Sequence, residues 1–280
     1  MGRPNPKHVI LADELGKLYG RHREVVGVAL GGSAAVGMGD DVSDIDLYVY
    51  LDGELPLAAR EKIARGRSDA PEVGNAFWEP GDEWVERASG MKVDVMFRQR
   101  AWMDEQVARV LDRHEASLGY TTCFLYNVAR CRIVQEDKED GGWLRELRKR
   151  VDLAPYPEEL KRAIVAKNHP VLRGKQASYR DQIASAVARG DLVSVNHRVA
   201  AALASVFDIL FAVDEQYHPG EKRLLAHAEA MCPKRPESFR ADVEGLLRAA
   251  GSEPGAVAGA LERLLDGLDG VLRGEGLIGG

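Results

Sequence analysis

This 280-residue chain has little cysteine, no surplus of positive charge and no long apolar run. The three cysteines, Cys123, Cys131 and Cys232, cannot all pair, and none has the close spacing of a zinc site. They are expected to be reduced and mostly buried. No apolar run approaches the roughly 20 residues that span a bilayer, and Met1 to His8 lack the apolar segment of a secretory signal. The expectation is a cytoplasmic protein with no membrane. A net charge of −6 argues against a protein whose main business is coating nucleic acid, since such proteins present a basic face.

What is present is ordinary for a globular protein: 45% hydrophobic and 29% charged residues. At this length single cores begin to split, so two domains are expected, residues 1–140 and 141–280. The first half mixes strand-like and helix-like patterns and predicts a small mixed sheet with helices on one face. After Gly141-Gly142 the pattern turns helical. Helices are expected over 143–151, 157–167, 172–189, 192–215, 221–231, 236–249 and 254–272, separated by Pro or Gly breaks. The segment from Ala200 to Phe211 is nearly all small or apolar, which predicts a buried central helix. The fold class is therefore α+β, a small mixed-sheet domain followed by an all-helical bundle.

The most informative residues are acidic. Val25 to Leu30 and Ile45 to Leu51 read as strands, as does Lys92-Val93-Asp94-Val95-Met96-Phe97. Residues two apart in a strand share a face, so Asp44 and Asp46 present their carboxylates together. Two adjacent carboxylates repel unless a cation sits between them or one takes a proton. Asp94 repeats the pattern on a third segment, and a strand pairing beside Asp46 would gather all three. Magnesium takes oxygen ligands and keeps some waters or phosphate oxygens, so this set suits metal-assisted phosphoryl or nucleotidyl transfer.

Ahead of the carboxylates lies Gly31-Gly32-Ser33. Glycine lets the backbone approach a phosphate closely, and a helix beginning at Ser33 would aim free N–H groups at the anion. Gly-Gly-Ser alone is most often just a turn, and Asp-x-Asp alone is equally weak; order and spacing give them weight together. Lys222 follows a Pro-Gly turn at a helix start, where a cation gains nothing from the dipole. It is a candidate triphosphate contact, with an exposed surface lysine as the equal alternative. Tyr217 and His218 line either a pocket or, more simply, the core. Asp40 and Asp41 read as turn residues, and Glu79, Asp82 and Glu83 as a solvated acidic loop that could instead meet a cationic acceptor.

Residues 145–180 hold ten Lys or Arg against four acids. The plain reading is a solvated helical surface. The functional one is a cationic wall facing triphosphate, pyrophosphate or a polyanionic acceptor such as an RNA end.

The stretch from Gly32-Ser33-Ala34-Ala35-Val36-Gly37 to Ser43-Asp44-Ile45-Asp46-Leu47, with Asp94 downstream, resembles the polymerase-β-type nucleotidyltransferase superfamily over residues 24–98. The resemblance implies that Asp44 and Asp46 bind metal, that Asp94 completes the site and helps activate the acceptor hydroxyl, and that Gly32 and Ser33 hold the triphosphate. Many small members carry Arg where this chain has Val36, which shifts phosphate neutralisation to other residues. The second half, through phrases such as Gly119-Tyr120-Thr121-Thr122-Cys123-Phe124 and Tyr217-His218-Pro219-Gly220-Glu221-Lys222-Arg223, resembles the helical partner domain of a bacterial branch, DUF4037-like.

Together these imply a Mg²⁺-dependent (or Mn²⁺-dependent) enzyme that transfers an NMP, most plausibly AMP from ATP, to an acceptor hydroxyl and releases pyrophosphate. A small molecule such as an antibiotic is the favoured acceptor, ahead of a tRNA end or a protein side chain. A nucleotide-binding regulator without turnover is the alternative from another class.

Overall fold

A computed structural model describes residues 5–35, 44–77, 79–136 and 141–279, Ser33 by its backbone alone. The readings of Val36, Asp40 and Asp41 fall outside the described residues. The chain divides into two compact units, one of Met1–Val107 with Asn127–Ala154, the other of Ala108–Tyr126 with Pro155–Gly280.

In the first unit helix α1 (Pro6–Tyr19) leads into β1 (Val25–Leu30), the short α2 (Gly32–Ala35) and β2 (Ile45–Leu51). Then come α3 (Leu57–Arg67), β3 (Glu72–Asn75), β4 (Gly81–Val85), β5 (Lys92–Gln99) and α4 (Arg100–Leu111). Helix α5 (Cys123–Arg130), β6 (Arg132–Glu136) and α6 (Trp143–Leu153) follow. Helix α1 starts where sequence rules put it. Pro6 takes a first-turn position whose N–H would be an orphan anyway, and the Asn5 side chain accepts from Lys7 N at 3.0 Å.

The six strands run in the order β3-β4-β5-β2-β1-β6, with β2 and β5 parallel and the other pairs antiparallel. Alternation sorts the side chains. Ile45, Leu47 and Val49 of β2 join Val93, Val95 and Phe97 of β5 in one core, under Leu11, Leu15 and Tyr19 of α1 and Ile63 and Ala64 of α3. Each fully buried aliphatic side chain there contributes about 1.5–3 kcal/mol. The opposite face receives Asp46, Tyr48 and Tyr50 from β2, and Asp94, Met96 and Arg98 from β5.

That second face is also covered, contrary to the expectation of helices on one side only. Helix α6 buries Trp143, Leu144, Leu147 and Val151. Its Leu144 packs where a Cβ on Gly27 would lie 3.0 Å from Cδ2, and the Trp143 ring meets Tyr50 edge-on at 5.4 Å. Glycine in β1 thus makes room for a helix. The acidic segment around Pro80 also departs from expectation, because β4 is a strand. Asp82 breaks its alternation by pointing into the apolar face, where burial is tolerated through Arg60: Nε donates to Oδ2 at 3.0 Å, and the guanidinium stacks over Phe97 at 4.0 Å.

The second unit is helical: α7 (Glu158–His169), α8 (Tyr179–Ala188), α9 (Leu192–Val213), α10 (Leu224–Met231), α11 (Phe239–Ser252) and α12 (Val257–Gly274). Helix α9 is the buried centre, with Val199, Val206, Phe207 and Leu210 among Leu246, Leu261, Leu264 and Leu268 of its neighbours. By length and composition it could cross a bilayer, but thirteen of its residues are buried in this unit, including Asp208. The single helix expected over 172–189 is broken instead. Pro170 has no N–H for the regular ladder, residues Pro170–Gly174 form a π turn, and Ser178 recaps the chain by accepting from Asp181 N at 3.3 Å.

Candidate active site

Asp46 and Asp94 are register partners across the parallel β2–β5 pair. Neighbouring strands lie about 4.8 Å apart, so the two half-buried carboxylates emerge side by side on the face away from the main core. On the other flank of β5, Glu83 is the partner of Asp94. The row Glu83, Asp94, Asp46 therefore crosses three adjacent strands.

The electrostatic consequence is visible at Asp94. Burial, and then the charges of Glu83, Asp46, Glu79 and Asp44, push its pKa up to about 6. A carboxylate that resists ionisation because of its neighbours is one that a cation would relieve.

Gly31 and Gly32 close the other side. Gly31 N donates to Asp46 O at 2.8 Å, extending the β1–β2 ladder to the acidic position. A Cβ on Gly31 would lie 2.2 Å from Tyr48 Cε2. One on Gly32, whose φ is +59°, would lie 1.7 Å from Asp46 Oδ2. Only glycine lets the turn into α2 rest directly against the carboxylate. Ser33 follows in that first turn.

The expected residues are brought together unequally. Asp46, Asp94 and Gly32 share one corner of the sheet. Asp44 stands exposed just ahead of β2, where strand alternation does not yet fix it. Among the described residues no three His, Cys, Asp or Glu side chains are gathered closely enough to hold a metal ion by themselves. The two paired aspartates supply oxygen donors of the kind a hard divalent cation takes, with substrate phosphates and water left to complete the shell. Lys222 lies in the second unit, exposed in the turn before α10. His218 is fully buried there among Tyr120 and Phe211, which is core packing.

One residue escaped sequence reasoning. Arg98 is only 6% exposed, on the Asp94 face of β5. Its Nε and Nη2 donate to the two Glu79 carboxylate oxygens, each at 2.9 Å, and its guanidinium stacks over Tyr48 at 4.1 Å. The signal was the spacing of Asp94 and Arg98, four apart on one strand face. Glu79 is thus an anchored partner, and the supposed acidic loop resolves into three separate roles for Glu79, Asp82 and Glu83.

Residues 10–116 match the family model described as nucleotidyltransferase domain, and residues 123–224 match a domain of unknown function, DUF4037. A solved nucleotidyltransferase-like protein from Exiguobacterium sibiricum 255-15 aligns over 96% of this chain and 77% of its own, at 14% identity and a TM-score of 0.43. No curated protein matches the chain.

Proposed function

We propose, from the match of residues 10–116 to a nucleotidyltransferase domain, that the chain transfers an NMP, AMP from ATP, to an acceptor hydroxyl and releases pyrophosphate. The acceptor oxygen attacks the α-phosphorus, the bond to the bridging β-phosphate oxygen breaks, and the hydroxyl proton goes to a carboxylate. Asp94 is the base. With a cation polarising the acceptor hydroxyl, that role needs only ordinary carboxylate basicity.

Asp46 and Asp94 would hold Mg²⁺, joined by Asp44. When bound, it supplies charge neutralisation on the triphosphate and polarisation of the acceptor. The backbone at Gly32 and Ser33 cradles the phosphates. Most of the rate gain comes from positioning and charge stabilisation. Three free cysteines fit a reducing cytoplasm as the setting.

The observation that carries this reading is the register pairing of Asp46 with Asp94 beside Gly32. Its test is nucleotide binding with Mg²⁺ or Mn²⁺, followed by pyrophosphate release against a panel of acceptors. Asp46→Asn is expected to abolish release while leaving the melting transition in place. If no nucleotide binds in the presence of either metal, the transferase reading fails.

A further inference from the structure

The basic run of residues 145–180 is not one surface. Two of its later members are neutralised within the helical unit: Lys161 Nζ lies 2.7 Å from Glu215 and 2.8 Å from Glu158, and Arg173 reaches Glu262, Asp266 and Asp269 at 2.6–2.8 Å. The earlier members, on α6, belong to the first unit and behave differently.

There, Arg145, Arg148 and Lys149 line an open groove of about 740 Å³ together with Arg130 and Arg132. Positions i, i+3 and i+4 share a helix face, so α6 contributes a cationic row about 6 Å long. Compensation is partial. Arg145 pairs with Glu136 at 2.7 Å, Arg132 with Asp13 at 3.6 Å and Lys149 with Glu146 at 3.9 Å, while Asp152 is the acid in the lining. Arg130 and Arg148 have no carboxylate partner among the described residues. The Arg132 and Lys149 pairs are exposed and contribute about 0–1 kcal/mol each, whereas the buried Glu136 holds Arg145 more firmly.

The groove borders the candidate active site. Ala35, the last residue of α2, lines it, and the single turn of helix back to Gly32 rises only about 5 Å. Two apolar side chains, Ile133 and the 71% exposed Leu153, interrupt the cations. Among the described residues no aromatic side chain lines it.

We propose that this groove holds the sugar–phosphate backbone of a single-stranded nucleic acid, which makes a nucleic-acid hydroxyl the acceptor. The second clause rests on the transferase reading above. Net charge favours a small molecule; the local arrangement reverses that preference, because a row of several cations is longer than one phosphate needs. A single strand, with its bases unstacked, can lay them on Ile133 and Leu153 and bring a terminus to the site.

The test uses the full chain and labelled single-stranded RNA and DNA of about 16 nucleotides, by fluorescence anisotropy at rising salt. Binding is expected with log K falling against log salt at a slope of about −3.5, from the five cations at about −0.7 each. Arg130→Glu with Arg148→Glu is expected to weaken it at least tenfold, and Arg145→Glu with Lys149→Glu serves if that pair fails to melt cooperatively. Arg162→Glu with Arg248→Glu, the same charge change on exposed sites of the helical unit, is expected to leave it within threefold. No binding at low salt, or equal losses in both pairs, overturns the groove. Displacement by inorganic tripolyphosphate at equal phosphate concentration also overturns it, as a site for small anions. Nucleotide binding without oligonucleotide binding sinks this proposal and spares the transferase; the reverse result keeps the groove and removes the acceptor.

Discussion

Gly32 and Asp46 are so close that a methyl group between them has no room: a Cβ at position 32 would lie 1.7 Å from Asp46 Oδ2. The backbone there is also left-handed, at φ +59°. Gly32→Ala must therefore adopt a conformation costing about 1–2 kcal/mol and push the carboxylate away from Asp94. The expected result is destabilisation of about 1–3 kcal/mol in urea unfolding together with loss of metal-dependent nucleotide binding. Unchanged nucleotide affinity in this variant would contradict the close packing of turn and carboxylate.

Arg98 and Glu79 form a second coupled pair beneath the site. Removing either leaves a charge in a largely dry place, which costs about 3–5 kcal/mol when a buried pair is broken from one side. Because Glu79 keeps a third of its side-chain surface, about 2–4 kcal/mol is expected for Arg98→Met. Adding Glu79→Gln should recover part of that loss. Urea midpoints for the two single variants and the double one close the cycle; strictly additive losses would show that the pair does not act as a unit.

Asp208 and His218 titrate in the same pH range with opposite effects on the helical unit. Asp208 accepts from Thr121 N at 3.0 Å and Thr121 Oγ1 at 2.6 Å, yet burial outweighs these bonds and lifts its pKa to about 6. The folded chain then holds more protons than the unfolded one between about pH 4 and 6, so this contribution is full in acid and is lost as pH rises through 6. Burial lowers His218 to about 4. Its contribution is full above about pH 6.5 and is lost as pH falls through 4. Each slope reaches about 1.4 kcal/mol per pH unit, and in the native chain they oppose one another. Relative to wild type, Asp208→Asn should lose stability more steeply on acidification, and His218→Gln should gain it. Parallel curves of unfolding free energy against pH for all three proteins would refute the pairing.

Much of the sheet was legible because β1 and β2 are short apolar runs rich in β-branched or aromatic residues, and the acidic positions on β2 and β5 fall where pleating puts them. Strand β4 was not, since Asp82 occupies an inward position that alternation reserves for an apolar residue. Only Arg60, twenty-two residues earlier and on a different element, explains it. The cover that α6 gives the second sheet face was not legible either. That packing depends on the missing side chain of Gly27, and an absence carries no pattern. At the site, the sequence gathered Asp46 and Asp94 only on the condition that their strands pair, and the β2–β5 register meets that condition. The role of Arg98 required knowing which strand lay next to Glu79, and the division of the basic run required knowing which helices share a core.

Because β6 pairs with β1 from far along the chain, a catalytic fragment cannot be excised at the end of the matched segment, residue 116. Such a piece would leave β1 as a bare edge, its Gly27–Leu30 amides and carbonyls ready to zip onto another molecule. It would also strip the Leu144 and Trp143 side chains from Gly27 and Tyr50. Any dissection aimed at a soluble core must carry the polypeptide through Leu153, and shorter expression products are destined for inclusion bodies.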